Sequence, residues 1–342
     1  MALSQQEVDD LARKGAERGI DLRPGLALVE ERLRTTVLSD LPFAETASRY
    51  LIDAGGKRFR PMLVLLTGML AGADVTDSRL VDAGVVVELV HLSTLYHDDV
   101  IDAADVRRGA PAAHVKWSNT VAILTGDFLL ARASELSAAL GVEVTRVMAR
   151  TIADLCAGQI REVLGSLVAR DHGAPAIEPT REHYLTVIGE KTASLIAASC
   201  RLGAILSGQS AEAIEIVTDY GWRLGMSFQL ADDVLDVTGQ PDESGKLPGT
   251  DLREGVRTLP VLLALEADGS SGLLELLGHP SEANVAAALD MLRRHPAIEL
   301  ARDAARLEAA NARSALDALT DAAPAALDGL AYLTDYAVER VG

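Results

Sequence analysis

The acidic pentapeptide Asp98-Asp99-Val100-Ile101-Asp102 recurs with the same spacing as Asp232-Asp233-Val234-Leu235-Asp236. Each copy follows an apolar stretch with helical spacing, Val85 to Tyr96 in the first case and Trp222 to Leu230 in the second. On a helix the first and last Asp of each copy lie four apart and share a face. Three carboxylates at one helix end repel one another, so a folded chain keeps them only with a compensating cation. Hard oxygen ligands of this kind suit Mg²⁺, which takes one or two carboxylates and completes its shell with water and phosphate oxygens. Two such clusters facing each other would hold several magnesium ions around a diphosphate. One copy alone would read as a solvated helix cap; two copies, each backed by cations, argue for a site.

The cations lie on both sides of the first copy. Upstream stands Gly55-Gly56-Lys57-Arg58-Phe59-Arg60-Pro61. Its glycines permit close backbone approach, and Pro61 stands where a helix begins, a position proline tolerates. Basic side chains at a helix N-terminus suit phosphate, because the dipole adds to their charge. Downstream stands Arg107-Arg108-Gly109-Ala110-Pro111, and guanidinium groups bind phosphate oxygens in a fixed bidentate geometry. Blander readings stand beside these. Arg107 and Arg108 could pair with Asp102 or Asp105 on the surface, which contributes little. His91 could be a satisfied core histidine, His97 and His114 could serve only as supporting hydrogen-bond partners, and Lys191 could be a solvated lysine.

The order of the motifs is more specific than any one of them. Glu88-Leu89-Val90-His91 through Asp98–Asp102 to Arg107-Arg108-Gly109 resembles the first aspartate-rich region of the trans-isoprenyl diphosphate synthases, the polyprenyl synthetase family. Gly55 to Pro61 resembles that family's Gly-Gly-Lys-Arg motif, Gly189-Glu190-Lys191-Thr192 its mid-chain Lys-Thr pair, and Phe228 to Asp236 its second aspartate-rich region. Gly245-Lys246 and Gly255-Val256-Arg257-Thr258-Leu259-Pro260 resemble the loop that follows.

The resemblance implies an isoprenoid synthase-type helical bundle around a central active-site cavity, and a set of roles. Asp98, Asp102 and Asp232 would bind Mg²⁺ directly, with Asp99, Asp233 and Asp236 assisting; three ions with a bound diphosphate are expected. Arg107, Lys191 and Lys246 would hold an allylic diphosphate. Lys57, Arg60, His91 and Arg108 would hold isopentenyl diphosphate, with Arg58 nearby. Thr192 and Gln229 would place oxygens near a developing carbocation. Arg257 departs from the lysine of many family members but keeps the charge. Asp251 would orient its neighbours. The growing chain would run back along the helix of the first motif, past Ser93 and Thr94 and then Leu89 and Val90, with Met148 and Met69 as candidate floor residues. Short-chain relatives place an aromatic residue in the first turn; here the side chains are small, so the expected product is longer than geranylgeranyl.

The remaining features bound the answer. With 342 residues, 4% aromatic content and abundant Ala and Leu, the composition favours helix. A net charge of −18 argues against nucleic-acid binding and makes the local basic clusters conspicuous. Cys156 and Cys200 are too few for a disulfide framework and are read as buried thiols of a reduced, cytoplasmic protein. The N-terminus has no apolar signal-peptide core, and the apolar run 62–73 is too short to span a membrane.

Helices are expected over 23–41, 45–53, 60–71, 78–102, 119–140, 142–168, 180–207, 211–238, 258–267, 281–295, 297–319 and 327–341. Breaks rich in Pro and Gly fall at 171–179, 239–249 and 268–280. No strand pattern stands out. The expectation is one all-α domain over 1–342, its motif-bearing core at about 55–260 and C-terminal helices over 281–342. The Ala-rich tail is expected to be a peripheral packing helix, and 119–140 to offer a homodimer interface. A terpene cyclase, which would lack the Gly-Gly-Lys-Arg site, and a non-catalytic subunit of a heteromeric prenyl synthase, which would have lost some of these charges, are the rival readings.

Overall fold

A computed structural model describes residues 21–165, 177–239, 248–268, 271–278 and 281–339. The fold is all-α. In chain order the helices are α1 (Arg23–Thr36), α2 (Pro42–Asp53), α3 (Phe59–Met69), α4 (Ser78–Ile101), α5 (Ala113–Lys116), α6 (Asn119–Leu140), α7 (Val142–Gly165), α8 (Arg181–Ile188), α9 (Ser194–Leu206), α10 (Ala211–Thr238), α11 (Thr250–Glu254), α12 (Leu259–Asp268), α13 (Ser271–Gly278), α14 (Glu282–Arg293), α15 (Ala297–Leu316) and α16 (Pro324–Glu339). A π-helical turn, Gly189–Ala193, joins α8 to α9.

Helix starts follow local chemistry. Side-chain oxygens of Asp77, Ser118, Thr180, Ser210 and Ser281 accept from the first-turn N–H groups of α4, α6, α8, α10 and α14, closing donors that would otherwise lack partners. Pro42 opens α2 three residues ahead of the expected start, at a position where its missing N–H costs nothing.

α4 is apolar nearly all the way round, as a central helix must be. It packs against α6, α3, α9 and α1, while α10 packs against α15, α9 and the π turn. Two apolar clusters result. The first gathers α1 to α4, α6, α7, α9 and α16; the second gathers α8, α12, α14 and α15. α10 joins them, giving Val217, Tyr220 and Leu224 to the first and Met226, Leu230 and Val234 to the second.

Several expectations change. The segment 180–207 is not one α-helix but α8, a π turn and α9. The break at 268–280 contains α13. The Ala-rich tail is not peripheral: α15 buries Ala297, Ala301, Ala305, Ala309 and Ala312 and lies along α10, where the Ser227 hydroxyl donates to the Ala305 carbonyl at 2.9 Å. Small side chains let the two helices approach closely. Cys200 is buried as expected, but Cys156 is exposed on α7. A two-residue hairpin, β1 (Val106–Arg107) with β2 (Ala110–Pro111), follows the first acidic motif. Its loop residues Arg108 and Gly109 have φ of +53° and +77°, as a type I′ turn requires. Among the described residues no helix is long and apolar enough to cross a membrane.

Candidate active site

The first acidic motif ends α4 and the second lies in the last turns of α10. Both therefore stand at the negative end of a helix dipole, where carboxylates are least favourable. Carboxylates kept at such an end fit a site that receives cations.

Beside α4 the arginines divide by role. Arg58 takes φ +47°, an uncommon left-handed backbone for a residue with a Cβ. Its guanidinium donates to Glu30 at 2.5 Å, to Glu88 at 2.8 Å and to the Ile52 carbonyl at 3.1 Å, and it is 4% exposed. Arg58, expected near the isopentenyl diphosphate, is a buried strut tying α1 to α4. Arg108 donates to the carbonyls of Leu51, at 2.8 Å, and Gly55, and lies 3.9 Å from Glu88. Among the described residues Arg60 has no such partners. Burial, with Arg108 adding to it against Glu88, lowers its guanidinium to about 10, and its Nε is buried without a bond among the described residues. Burial and then Arg60, Arg108, Arg107 and Arg58 hold His91 well below the ordinary imidazole range, so the ring is neutral at pH 7. His91 therefore stands inside an arginine cluster built from the segment before α3, from α3 itself and from the hairpin. Lys57, half-buried, completes that segment.

Arg107 donates to Asp99 Oδ1 at 2.6 Å, and Asp99 is fully buried with its second oxygen unbonded among the described residues. The middle aspartate thus anchors the hairpin. Asp98 and Asp102 face other groups. Burial raises Asp98 to about 6, with Lys191 opposing and Asp102 and Glu162 adding. Burial also raises Asp102, with the same lysine and glutamate acting on it. Lys191 itself would be lowered by burial, but Glu162, Asp98 and Asp102 raise it, and its ammonium is bonded to Glu162.

The π turn supports this lysine. Such turns are rare and frequent at functional sites. A Cβ on Gly158 of α7 would stand 2.7 Å from the Lys191 nitrogen, and one on Gly225 of α10 would stand 2.5 Å from the Ala193 Cα, so only glycine lets both helices close on the turn. Lys191 then reaches α7, while Thr192 Oγ1 donates to Gln229 Oε1 on α10 at 3.0 Å.

Around the second motif, Asp233 is 3% exposed and accepts from Gln229 Nε2 at 2.8 Å and from the Tyr184 hydroxyl at 2.5 Å. Burial raises it to about 7, against the two hydrogen bonds. Asp236 accepts from the backbone N–H groups of Thr250 and Asp251, which ties α10 to α11. Burial, then Asp233 and Asp236, push the Asp251 carboxyl well up, with Glu162 adding. Glu162 is therefore felt by Asp98, Asp102 and Asp251 alike, which places both acidic motifs on one locus. Asp232, on the same turn, is half-buried. Phe59 stacks on Phe228 with ring centres 5.7 Å apart, joining the basic segment to the helix of the second motif. Arg257 lies 3.7 Å from Glu178. Lys246 lies outside the described residues.

Behind Asp98, Leu89, Val90 and Ser93 are buried at 2% exposure or less. Thr94 is half-buried and bonds its hydroxyl to the His91 carbonyl of its own helix. Met148 of α7 is buried in the first apolar cluster, and Met69 packs against it. His97 turns away from the carboxylates towards α6, 3.2 Å from the Ile123 carbonyl and 3.3 Å from Asp127. Glu30, Glu162 and Tyr184 carry no motif and were legible only through these contacts; Glu88 was legible only as part of the first acidic region.

The donors fit magnesium. Asp98, Asp102, Glu162, Asp232, Asp236 and Asp251 are hard oxygen ligands in excess over the neighbouring lysine, and burial, with repulsion from neighbouring carboxylates, raises Asp98, Asp102 and Asp251. Among the described residues no three acidic or sulfur and imidazole ligands already converge as a metal cage. A set of this kind leaves coordination positions for phosphate oxygens, as Mg²⁺ sites usually do.

The polyprenyl synthetase family model matches residues 42–292. The chain belongs to the polyprenyl synthetase family. It is an enzyme of the transferase class. A nonaprenyl diphosphate synthase of Mycobacterium tuberculosis (strain ATCC 25618 / H37Rv) is 44% identical over 325 residues, covering 94% of each chain. Component 2 of the heptaprenyl diphosphate synthase of Geobacillus stearothermophilus is 40% identical over 280 residues, 81% of this chain and 84% of that one. Among solved structures, a polyprenyl synthase from Caulobacter crescentus CB15, complexed with calcium and isoprenyl diphosphate, superposes with a TM-score of 0.86 at 32% identity, covering 98% of both chains. This member of the family thus shares its whole architecture with a relative whose crystals hold a divalent cation and a diphosphate.

Proposed function

We propose that this polyprenyl synthetase condenses an allylic diphosphate with isopentenyl diphosphate, head to tail, releasing pyrophosphate and yielding a product longer than geranylgeranyl diphosphate. The observation that carries the reading is the division of charge at the end of α4. Asp98 and Asp102 share one locus with Lys191 and Glu162, while Arg60 and Arg108 gather about His91, with Arg107 felt by both groups. One locus suits a diphosphate that arrives with cations, the other a diphosphate held by protein charge alone.

Asp98, Asp102 and Asp232 would hold Mg²⁺, three ions with bound diphosphate, with Asp99, Asp233 and Asp236 assisting. Bound there, Mg²⁺ would neutralise the charge that collects on the departing pyrophosphate. Arg107, Lys191 and Lys246 hold the allylic diphosphate, with Arg257 nearby. Lys57, Arg60, Arg108 and His91 hold isopentenyl diphosphate. Donors fixed before the C–O bond breaks stabilise the leaving group without reorganising. Thr192 and Gln229 face the allylic carbon with oxygen atoms, and the apolar wall keeps water from the cation. The isopentenyl double bond attacks that carbon, and the proton lost afterwards goes to pyrophosphate. Ser93, Thr94, Leu89 and Val90 leave no aromatic plug in the path of the growing chain. The names of the nonaprenyl and heptaprenyl relatives support a long product.

The chain would act as one domain over 1–342, in the cytoplasm, as a homodimer. Exposed Ile123 and Leu124 on α6 support a pairing face there. The partner-subunit reading draws on the heptaprenyl component 2 relative, but no carboxylate or cation expected of a working site is missing from this chain.

The test is product analysis. Purified protein is incubated with Mg²⁺, labelled isopentenyl diphosphate and, separately, dimethylallyl, geranyl, farnesyl or geranylgeranyl diphosphate, and the dephosphorylated products are sized. All-trans products beyond geranylgeranyl are expected. A geranylgeranyl stop would keep the reaction and move the tunnel floor towards the metals. No condensation with any primer would favour the partner-subunit reading.

A further inference from the structure

Four side chains from three elements form a hydrogen-bonded file behind the second acidic motif. The Tyr184 hydroxyl of α8 donates to Asp233 Oδ2 at 2.5 Å. Asp233 Oδ1 accepts from Gln229 Nε2 at 2.8 Å, both on α10. Gln229 Oε1 accepts from Thr192 Oγ1 of the π turn at 3.0 Å. The file begins in the second apolar cluster, where Tyr184 is 5% and Asp233 3% exposed, and ends at Thr192, which is half-buried.

Each bond sets the direction of the next. The phenol directs its proton to Asp233 Oδ2. A carboxylate that accepts on both oxygens turns the glutamine NH₂ towards itself. The Gln229 carbonyl oxygen then faces Thr192, and the threonine must give its proton to it. On its remaining side the Thr192 hydroxyl carries lone pairs and no proton.

We propose that Tyr184 and Asp233 are positioning residues that lock the Gln229 amide, so that Thr192 presents only lone pairs to the cationic carbon of the allylic substrate. This assignment rests on the condensation reading. The effect belongs to the transition state: an oriented dipole stabilises charge as it develops and contributes little to binding the neutral hydrocarbon of the ground state. It also gives the middle aspartate of the second motif a duty of its own: its oxygens meet the side chains of Gln229 and Tyr184, whereas those of Asp236 meet the backbone of α11. Tyr184 lies seven residues before Lys191, two turns of helix away, and no sequence motif marks it.

Tyr184→Phe keeps the ring and removes the donor. Its single-turnover rate should fall roughly tenfold, less than the hundredfold or more that follows loss of a direct transition-state donor, with the KM of both substrates unchanged. Thr192→Val should be slower still, and Thr192→Ser close to wild type. The double variant Tyr184→Phe/Thr192→Val should be no slower than Thr192→Val alone, because the anchor acts only through the threonine. Multiplying effects, or a fall in melting temperature with an unchanged single-turnover rate, would overturn the assignment.

A second measurement needs no turnover. With glutamine side chains labelled with ¹⁵N, the Gln229 amide resonance should move in both Tyr184→Phe and Thr192→Val, and an unmoved resonance would overturn the lock. A wild-type chain that condenses no primer while that resonance moves would remove the condensation reading and leave the file itself intact.

Discussion

At the scale of single residues, the arginines show how burial sorts side chains of one type. Arg58 is enclosed by Glu30, Glu88 and a carbonyl, whereas Arg60 is half-buried and its Nε has no bond among the described residues. Removing one partner of a buried pair leaves the other charge uncompensated, so Arg58→Ala should lower unfolding free energy by about 3–5 kcal/mol in urea titrations. A loss of isopentenyl diphosphate affinity at unchanged stability would return Arg58 to the substrate. Asp98 gives a pH-dependent test. Its carboxyl is raised from 3.8 to about 6, chiefly by burial, so the folded state holds the proton more tightly than the unfolded chain. Stability therefore falls as pH rises through that window, and the penalty persists above it. Without divalent ions, Asp98→Asn should raise the melting temperature at about pH 8 and much less at about pH 4, while abolishing condensation. An equal change at both pH values would show that the carboxylate is not strained in the folded state.

At the scale of elements, the π turn between α8 and α9 decides where Lys191 and Thr192 point. In a regular helix successive side chains diverge by about 100°; here one reaches α7 and the next α10. The close approach of those helices depends on Gly158 and Gly225. Gly225→Ala would press a methyl group on backbone and should cost about 1–3 kcal/mol by urea unfolding, with condensation falling because the turn is displaced. Full activity in a stable Gly225→Ala variant would separate the turn from the chemistry. The hairpin after α4 works in a similar way: a type I′ turn puts Arg108 in a left-handed conformation and aims it at the carbonyls of Leu51 and Gly55.

At the scale of the whole molecule, two apolar clusters meet along α10, and the charged end of the bundle lies where α4, α7, the π turn and α10 come together. The long apolar body of α4 behind Asp98 is the wall along which product would lengthen. Ser93→Phe should therefore shorten the longest product to geranylgeranyl or less at a similar rate of first condensation, measured by sizing dephosphorylated products. An unchanged product distribution would place the tunnel on another wall. An excess of 18 negative charges over the chain gives the arginine cluster an opposing field, which should make substrate capture weaken with added salt only where exposed charges carry it.

The sequence by itself determined most of the helices, the two acidic pentapeptides and the basic segments, because periodicity and like-charge crowding act over a few residues. Helix limits agreed to within a few residues for α4, α6, α10 and α14. Tertiary structure alone decided which of those charges face one another. Arg58 meets Glu88 across 30 positions, Lys191 meets Glu162 across 29, and Tyr184 meets Asp233 across 49. Such pairs depend on how helices cross, which local spacing does not encode. The same holds for α15, whose alanines read as a surface helix until α10 is seen to need small neighbours. Burial then separates Arg58, enclosed by two glutamates, from the half-buried Arg60, and Asp233, bonded to Gln229 and Tyr184, from the half-buried Asp232. That division follows from desolvation and pairing, which exist only once the chain has packed.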